Sequence, residues 1–160
     1  LSTEFLADSA VKVYRIAKRE YASDLSGIGA SLYPGRWNKR GYPVIYTGES
    51  TEIALLEIVV HTPPQLVPDL NLVALQIPED SIAELDLKSL PENWSKSPPP
   101  SVLSEIGNNW LESRESVALK VPSSIVPDAF NYLLNCQHPD FNLVHILSNK
   151  PFNFDPRLTS

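Results

Sequence analysis

The 160-residue chain contains one cysteine, no methionine, six glycines and three histidines, and each scarcity excludes something. Cys136 alone can form neither an intramolecular disulfide nor a cysteine-rich zinc site, and three scattered histidines argue against a His-based metal site. No apolar run reaches the length of a membrane span, and the N-terminus lacks the basic-then-apolar pattern of a signal peptide. A chain that opens at Leu1 without methionine anywhere is expected to be processed or trimmed. GxGxxG and Walker sequences are absent, so a standard Rossmann or P-loop site is unsupported. No Gly-x-Ser-x-Gly surrounds Ser123 or Ser124, and the spacing of His61 and His138 supports no Ser–His pair, which speaks against an α/β-hydrolase. What remains is the expectation of one soluble cytoplasmic domain over residues 1–160 that needs no disulfide or metal to hold it together.

Charge is the first positive signal. Thirteen basic and nineteen acidic residues give a net −6, which argues against direct binding of nucleic acid by bulk electrostatics. The distribution says more than the sum. Between Lys12 and Arg40 lie seven bases and two acids, a local +5, which leaves −11 for the rest. An acidic protein with one basic segment suits a small anionic ligand, or an acidic face that receives a basic partner; a solvated charge run on a helix is the plainer alternative. Five of the six glycines and five of the six tyrosines also precede residue 49.

Periodicity predicts strands at Ala10–Ile16, Pro43–Tyr46, Leu72–Ile77, Ser116–Val121 and Asn142–Leu147. Tyr33–Asn38 reads as a turn entering a strand edge, Trp94–Pro100 as an extended loop, and Pro151–Leu158 as a terminal arm. Helices are expected at Ser50–His61, with a Ser/Thr cap and Glu52 in its first turn, and at Ser101–Ser113, with Val102, Ile106 and Trp110 on one face. Strands outnumber helices without regular alternation, the pattern of an α+β (mixed α/β) domain.

Several residues look costly unless they have work. Glu57 lies in Ala54-Leu-Leu-Glu-Ile-Val-Val60, apolar nearly all round, so its carboxylate is expected to face protein or a cleft; the competing reading is a thin solvent face. Arg15 lies just past the core face of the first strand. Arg36 sits in Pro34-Gly-Arg-Trp-Asn38, where Gly35 permits close backbone approach and Trp37 gives a rigid wall. Two planar guanidiniums could hold a pyrophosphate; the bland reading is two surface arginines with one cation–π contact. Tyr46 is either core edge or a stacking platform for a flat heterocycle. Ser123 and Ser124 by default cap a turn.

Taken in order, these segments resemble the RES domain family, toxins of bacterial toxin–antitoxin pairs. The matching stretches are Val13-Tyr-Arg-Ile16, Asp24-Leu-Ser-Gly27 through Ala30, Gly35-Arg-Trp-Asn38 with Gly41, Val44-Ile-Tyr46, Ala54-Leu-Leu-Glu57 with His61, Leu119-Lys-Val-Pro-Ser123, Asn131-Tyr-Leu-Leu-Asn135 with His138-Pro139, and Phe154-Asp-Pro-Arg-Leu158. One departure is Cys136, which stands where the pattern usually has proline. The resemblance implies a fold akin to the ADP-ribosyltransferases, with NAD as substrate and no prosthetic group. It implies growth arrest by NAD depletion, through hydrolysis or phosphorolysis, or by ADP-ribosylation of a protein; a non-catalytic nucleotide-binding or antitoxin-binding module is the further alternative. It places the catalytic positions on Glu57, Arg15, Tyr46 and Ser123, and NAD contacts on Arg15, Arg36, Tyr46 and Asn131. It also implies a hetero-oligomer with an Xre-like DNA-binding antitoxin that occludes the NAD cleft.

Overall fold

The computed structural model describes residues 10–61 and 69–159. Strand β1 (Ala10–Lys18) alternates apolar residues between two faces, and pairs antiparallel along its whole length with β3 (Leu70–Pro78), from Ala10 opposite Pro78 to Lys18 opposite Leu70. The strand β7 (His145–Phe152) adds to the far side of β3. A second group forms around β6 (Phe130–Leu134), which pairs antiparallel with β2 (Ile45–Gly48) on one side and β5 (Ala118–Pro122) on the other. The short β4 (Ile82–Glu84) joins β5 in parallel. The result is one seven-stranded sheet in the order β4-β5-β6-β2-β1-β3-β7. With its helices it is the mixed α/β architecture expected from the sequence.

The join between the two groups is the feature that matters. The strands β1 and β2 are matched only at Tyr14 opposite Gly48, whereas each is paired over its length with its other neighbour. Two half-sheets therefore meet at one rung and diverge from it.

Strand alternation sorts the core. Val13, Val73, Leu75, Ile77, Ala118 and Leu134 pack on one face. Leu119, Val121 and Leu133 face the other way, against Trp37 and the helix α3 (Val102–Ser113). Under the helix α2 (Thr51–His61), Ile16, Leu70 and Ala54 form a third cluster. The five-residue α1 (Ile28–Leu32) precedes the Tyr33–Asn38 turn. The Ser50 hydroxyl accepts the Ile53 N–H at 3.2 Å, the cap expected for α2.

Three expectations need correction. The buried residues of α3 are Leu103, Gly107, Asn108, Trp110 and Leu111; of the expected face Trp110 is buried and Ile106 packs against the same cluster, but Val102 is exposed. Gly107 sets this rotation, because a side chain there would collide with the Trp37 carbonyl. The last strand begins at His145, after a 3₁₀ turn at Phe141–Leu143, and runs to Phe152. Pairing with β3 decides its extent, and most of its side chains are exposed, so little alternation marks it. Finally, α2 is less buried than its composition suggests: only Ile53 and Ala54 are fully covered, and Val60 is exposed. It covers β1 and β2 with one face only.

Candidate active site

A cleft of about 560 Å³ opens where β1 and β2 part, and Arg15, Arg36, Tyr46, Glu57 and Asn131 all line it. By strand alternation Arg15 follows Val11 and Val13 on one face of β1, while Glu57 descends from α2 on the other. The separation of the half-sheets lets both reach one space.

Glu57 keeps 31% of its side chain exposed, so it neither lies in bulk water nor is sealed. One turn on, His61 Nε2 stands 3.5 Å from Glu57 Oε2. That hydrogen bond raises the His61 pKa above its ordinary value, against desolvation and the repulsion of Arg36. Arg36 in turn has its value lowered by burial, a shift opposed chiefly by the negative charge of Glu57. Carboxylate, imidazole and guanidinium thus share one field.

Arg36 does a second thing. Its Nη1 donates to the carbonyls of Trp94 and Lys96, both at 2.8 Å. Its Nε and Nη2 have no hydrogen-bond partner among the described residues. The Trp94–Pro100 segment is thereby strapped against the cleft, and Ser97 and Pro99 become part of its wall. Trp94 adds an apolar anchor by packing into the cluster of Trp37.

The turn that presents Arg36 is held by its own side chains. Asn38 is buried; its Oδ1 accepts the Gly35 N–H at 2.8 Å and the Tyr46 hydroxyl at 2.6 Å. Its Nδ2 donates to the carbonyls of Ala30 and Tyr42. The Tyr46 oxygen accepts the Trp37 N–H at 3.0 Å. A Cβ on Gly35 would lie 2.8 Å from the Tyr46 ring, so only glycine lets the turn cross it. Burial drives the Tyr46 pKa well above the ordinary phenol range. With its hydroxyl committed to the turn, Tyr46 offers the cleft a fixed neutral ring.

Arg15 donates to the Asp24 carbonyl at 3.3 Å. Desolvation lowers its pKa, opposed by Asp24 and Cys136, and it stays a cation. Asn131 is buried on β6 and donates to the Thr47 carbonyl at 3.1 Å.

Ser123 stands apart from the other expected residues. It is buried, and its hydroxyl accepts the N–H groups of Ile125 and Val126, both at 3.1 Å. Its own N–H donates to the Ala129 carbonyl. It does not line the cleft; its neighbour Ser124 does. Sequence reasoning also did not assign Ser97, Pro99 or Asn38 to the site. The signal in the sequence is the proline triplet Pro98–Pro100 for the first two and the Gly35-Arg-Trp-Asn38 stretch for the third. Among the described residues, no three His, Cys, Asp or Glu side chains are grouped to hold a metal ion, and no helix is long and apolar enough to cross a membrane.

Comparison with known proteins supplies the wider frame. Residues 12–155 match the RES domain. The chain is 40% identical over 150 residues to "Toxin Res" of Yersinia enterocolitica, covering 91% of this chain and 98% of that one. It is 38% identical over 149 residues to "Toxin Res" of Photorhabdus laumondii, with 91% and 96% covered. It is 35% identical over 147 residues to the "Prs ADP-ribosylating toxin" of Sphingobium sp. strain YBL2, with 89% and 91% covered. A chain in the crystal structure of the M. tuberculosis MbcT–MbcA toxin–antitoxin complex superposes with a TM-score of 0.75 at 16% identity, covering 90% of this chain and 85% of that one. At that identity the likeness is one of fold.

Proposed function

Because the chain belongs to the RES domain family, we propose that it is the toxin of a toxin–antitoxin pair and that its cleft cleaves NAD at the nicotinamide–ribose bond. The observation that carries this reading is the convergence of Glu57, Arg15, Arg36, Tyr46 and Asn131 on one cleft, from β1, the Gly35–Asn38 turn, β2, α2 and β6. The architecture is read as ADP-ribosyltransferase-like on the same ground.

Breaking the bond between ribose C1′ and the ring nitrogen sends the bonding pair out with neutral nicotinamide and leaves positive charge on the ribose. A carboxylate near C1′ stabilises that charge as it develops, and it can accept a hydrogen bond from a ribose hydroxyl. This is the role of Glu57. Nicotinamide departs as a neutral molecule, so no second carboxyl group is required to protonate it. Arg15, and the Nε and Nη2 of Arg36, hold the pyrophosphate and fix C1′ relative to the carboxylate. The ring of Tyr46 packs against the nicotinamide. Asn131, with Nδ2 committed to Thr47, has its oxygen to offer a ligand. Of the two adjacent serines Ser124 lines the cleft, while Ser123 builds the turn that carries it.

The acceptor then bonds to C1′ and releases its proton. Water gives ADP-ribose, inorganic phosphate gives ADP-ribose 1″-phosphate, and a protein side chain gives a modified target. The Sphingobium relative, an ADP-ribosylating toxin by name, favours the last as the second reading. Incubating the protein with NAD, with and without phosphate, and resolving the products by mass spectrometry tests the proposal. Release of free nicotinamide supports it; intact NAD under all conditions, including with cell extract, rejects it. The partner in this reading is an Xre-like DNA-binding antitoxin that covers the cleft.

A further inference from the structure

Of the three histidines, two are explained where they stand. His138 Nδ1 accepts the Asp140 N–H at 2.9 Å and closes a local turn, and His145 lies exposed at the start of the edge strand β7. His61 is not spent that way. It is the basic residue of the last turn of α2, where the helix dipole favours a cation, and it lines the cleft with Glu57. Among the described residues lining that cleft, Glu57 is the one carboxylate and His61 the one imidazole. The cleavage chemistry uses the first and leaves the second without a task.

Geometry and exposure supply the task. Four residues after Glu57, His61 falls on the same helix face, and its Nε2 stands 3.5 Å from Glu57 Oε2. A carboxylate only accepts, so the neutral imidazole meets it with the proton on Nε2, and Nδ1 takes the second proton when the ring is charged. The His61 side chain is 73% exposed and that of Glu57 31%. Protons therefore reach the ring from solvent, while the carboxylate it touches is largely covered. Glu57 favours a charge on the ring, and Arg36, from the Gly35–Asn38 turn, opposes it. The other ionisable groups lining the cleft are Arg15 and Tyr14 from β1, Tyr33 after α1 and Tyr46 from β2; the strap adds only Ser97 and Pro99.

We propose that His61 is a positioning residue for Glu57 and a proton-operated brake on the cleft: neutral, it fixes one carboxylate oxygen and leaves the negative charge to the ribose; protonated, it offsets that charge and slows cleavage. The inference rests on the NAD reading above. The step affected is the departure of nicotinamide, in which the bond from C1′ to the ring nitrogen breaks, the pair leaves with nicotinamide and positive charge appears on the ribose. A cation bonded to the carboxylate repels that charge and weakens the stabilisation the carboxylate gives. No proton passes between His61 and the substrate. The bound dinucleotide displaces water, so the charge is screened less than in the empty cleft. Because the hydrogen bond to Glu57 lifts the His61 pKa above its ordinary value, the brake works close to neutral pH.

The test is the pH profile of nicotinamide release from NAD between about pH 5.5 and 8.5, a range below the ordinary phenol value of about 10. Wild-type kcat/KM is expected to rise at least about fivefold through a single ionisation, whose midpoint matches that of His61 in an NMR titration of the free protein. His61→Gln keeps a donor for the carboxylate and cannot charge; its profile is expected to be flat, within about twofold of the wild-type level at pH 8.5. His61→Lys is charged throughout; its profile is expected to be flat at the wild-type level of pH 5.5, with the loss in kcat and KM within about threefold. Both variants are expected to melt as the wild type does, because the side chain is exposed. An acid loss that persists in His61→Gln assigns the ionisation to another group and overturns the proposal. So does a His61→Lys that matches wild type at pH 8.5. A loss of fivefold or more in His61→Gln at every pH overturns it too, since the imidazole itself is then required. If wild-type protein releases no nicotinamide at any pH, the NAD reading fails first and this inference falls with it, whereas the variant results count against the brake with that reading intact.

Discussion

A carboxylate stabilises a sugar cation only where water does not screen it, and Glu57 occupies the middle ground this requires: lining a cleft, partly covered, with His61 one turn away. The pair has a testable sign. His61 is raised in the folded protein, so its contribution to stability is present below its unfolded value of about 6.5 and disappears as pH rises through the higher folded value. The stability lost on His61→Ala is expected to be largest near pH 6 and to vanish at alkaline pH. It should be no more than about 0.5 kcal/mol, because the imidazole is largely exposed. In Glu57→Gln, an NMR titration of His61 should return toward the ordinary midpoint; an unmoved midpoint contradicts the pair. The two serines make the opposite contrast. Ser123→Ala deletes a buried acceptor for two backbone N–H groups and is expected to cost about 1–2 kcal/mol in denaturant melts, whereas Ser124→Ala is expected to change stability by less than about 0.5 kcal/mol. Equal losses would contradict the division of labour. Glu57, Arg15 and Arg36 were legible in the sequence because charge among apolar or glycine-rich neighbours is costly. Which of two adjacent serines faces the cleft was not, since it depends on a turn closed by Ala129. Cys136, the departure from the family pattern, lies against Gly27, and burial pushes its thiol up to about 12, so it is expected to be an inert packing group.

At the scale of elements, the Gly35–Asn38 turn and the Trp94–Pro100 strap behave as one unit. Proline fixes φ, so a strap with three consecutive prolines is stiff and needs few anchors; Arg36 and Trp94 hold it against the cleft. Arg36→Ala is expected to speed trypsin cleavage after Lys96 by about fivefold or more, while cleavage after Lys88, outside the strap, stays as in wild type. Unchanged cleavage at Lys96 would show that the two hydrogen bonds hold nothing in place. Elements with a strong local signal were readable: β1 by alternation, and α2 by its cap. Those defined by a distant partner were not. In β6, Leu133 and Leu134 are both buried, one on each face, so no period of two appears. The edge strand β7 is mostly exposed and contains Pro151, and only its ladder with β3 marks its length. In α3 the exposure of Val102 and the burial of Gly107 were not readable for a similar reason. Its rotation is set by contact of Gly107 with the Trp37 backbone, seventy residues earlier.

At the scale of the molecule, the site is a consequence of a sheet that holds together at one rung between β1 and β2. On one face a single cluster, with Val13, Val73 and Leu75 beside Ile45, Ala118 and Leu134, joins the two half-sheets, whereas on the other each has a cluster of its own, and the cleft between β1 and β2 receives charged side chains from both faces. The charge distribution fits this plan: the basic segment from Lys12 to Arg40 supplies the two cleft arginines, and the remaining −11 lies elsewhere. A basic, DNA-binding antitoxin would find the acidic remainder complementary. The most direct test is nicotinamide release from NAD by purified wild-type protein and by Glu57→Gln, which keeps the shape of the side chain, removes its charge and replaces one acceptor oxygen with a donor amide. Steady release is expected from the wild type and a loss of at least about a hundredfold in the variant, the scale of removing one electrostatic stabiliser of a transition state, with an unchanged melting profile. Release by a folded Glu57→Gln at close to the wild-type rate would contradict the role of Glu57.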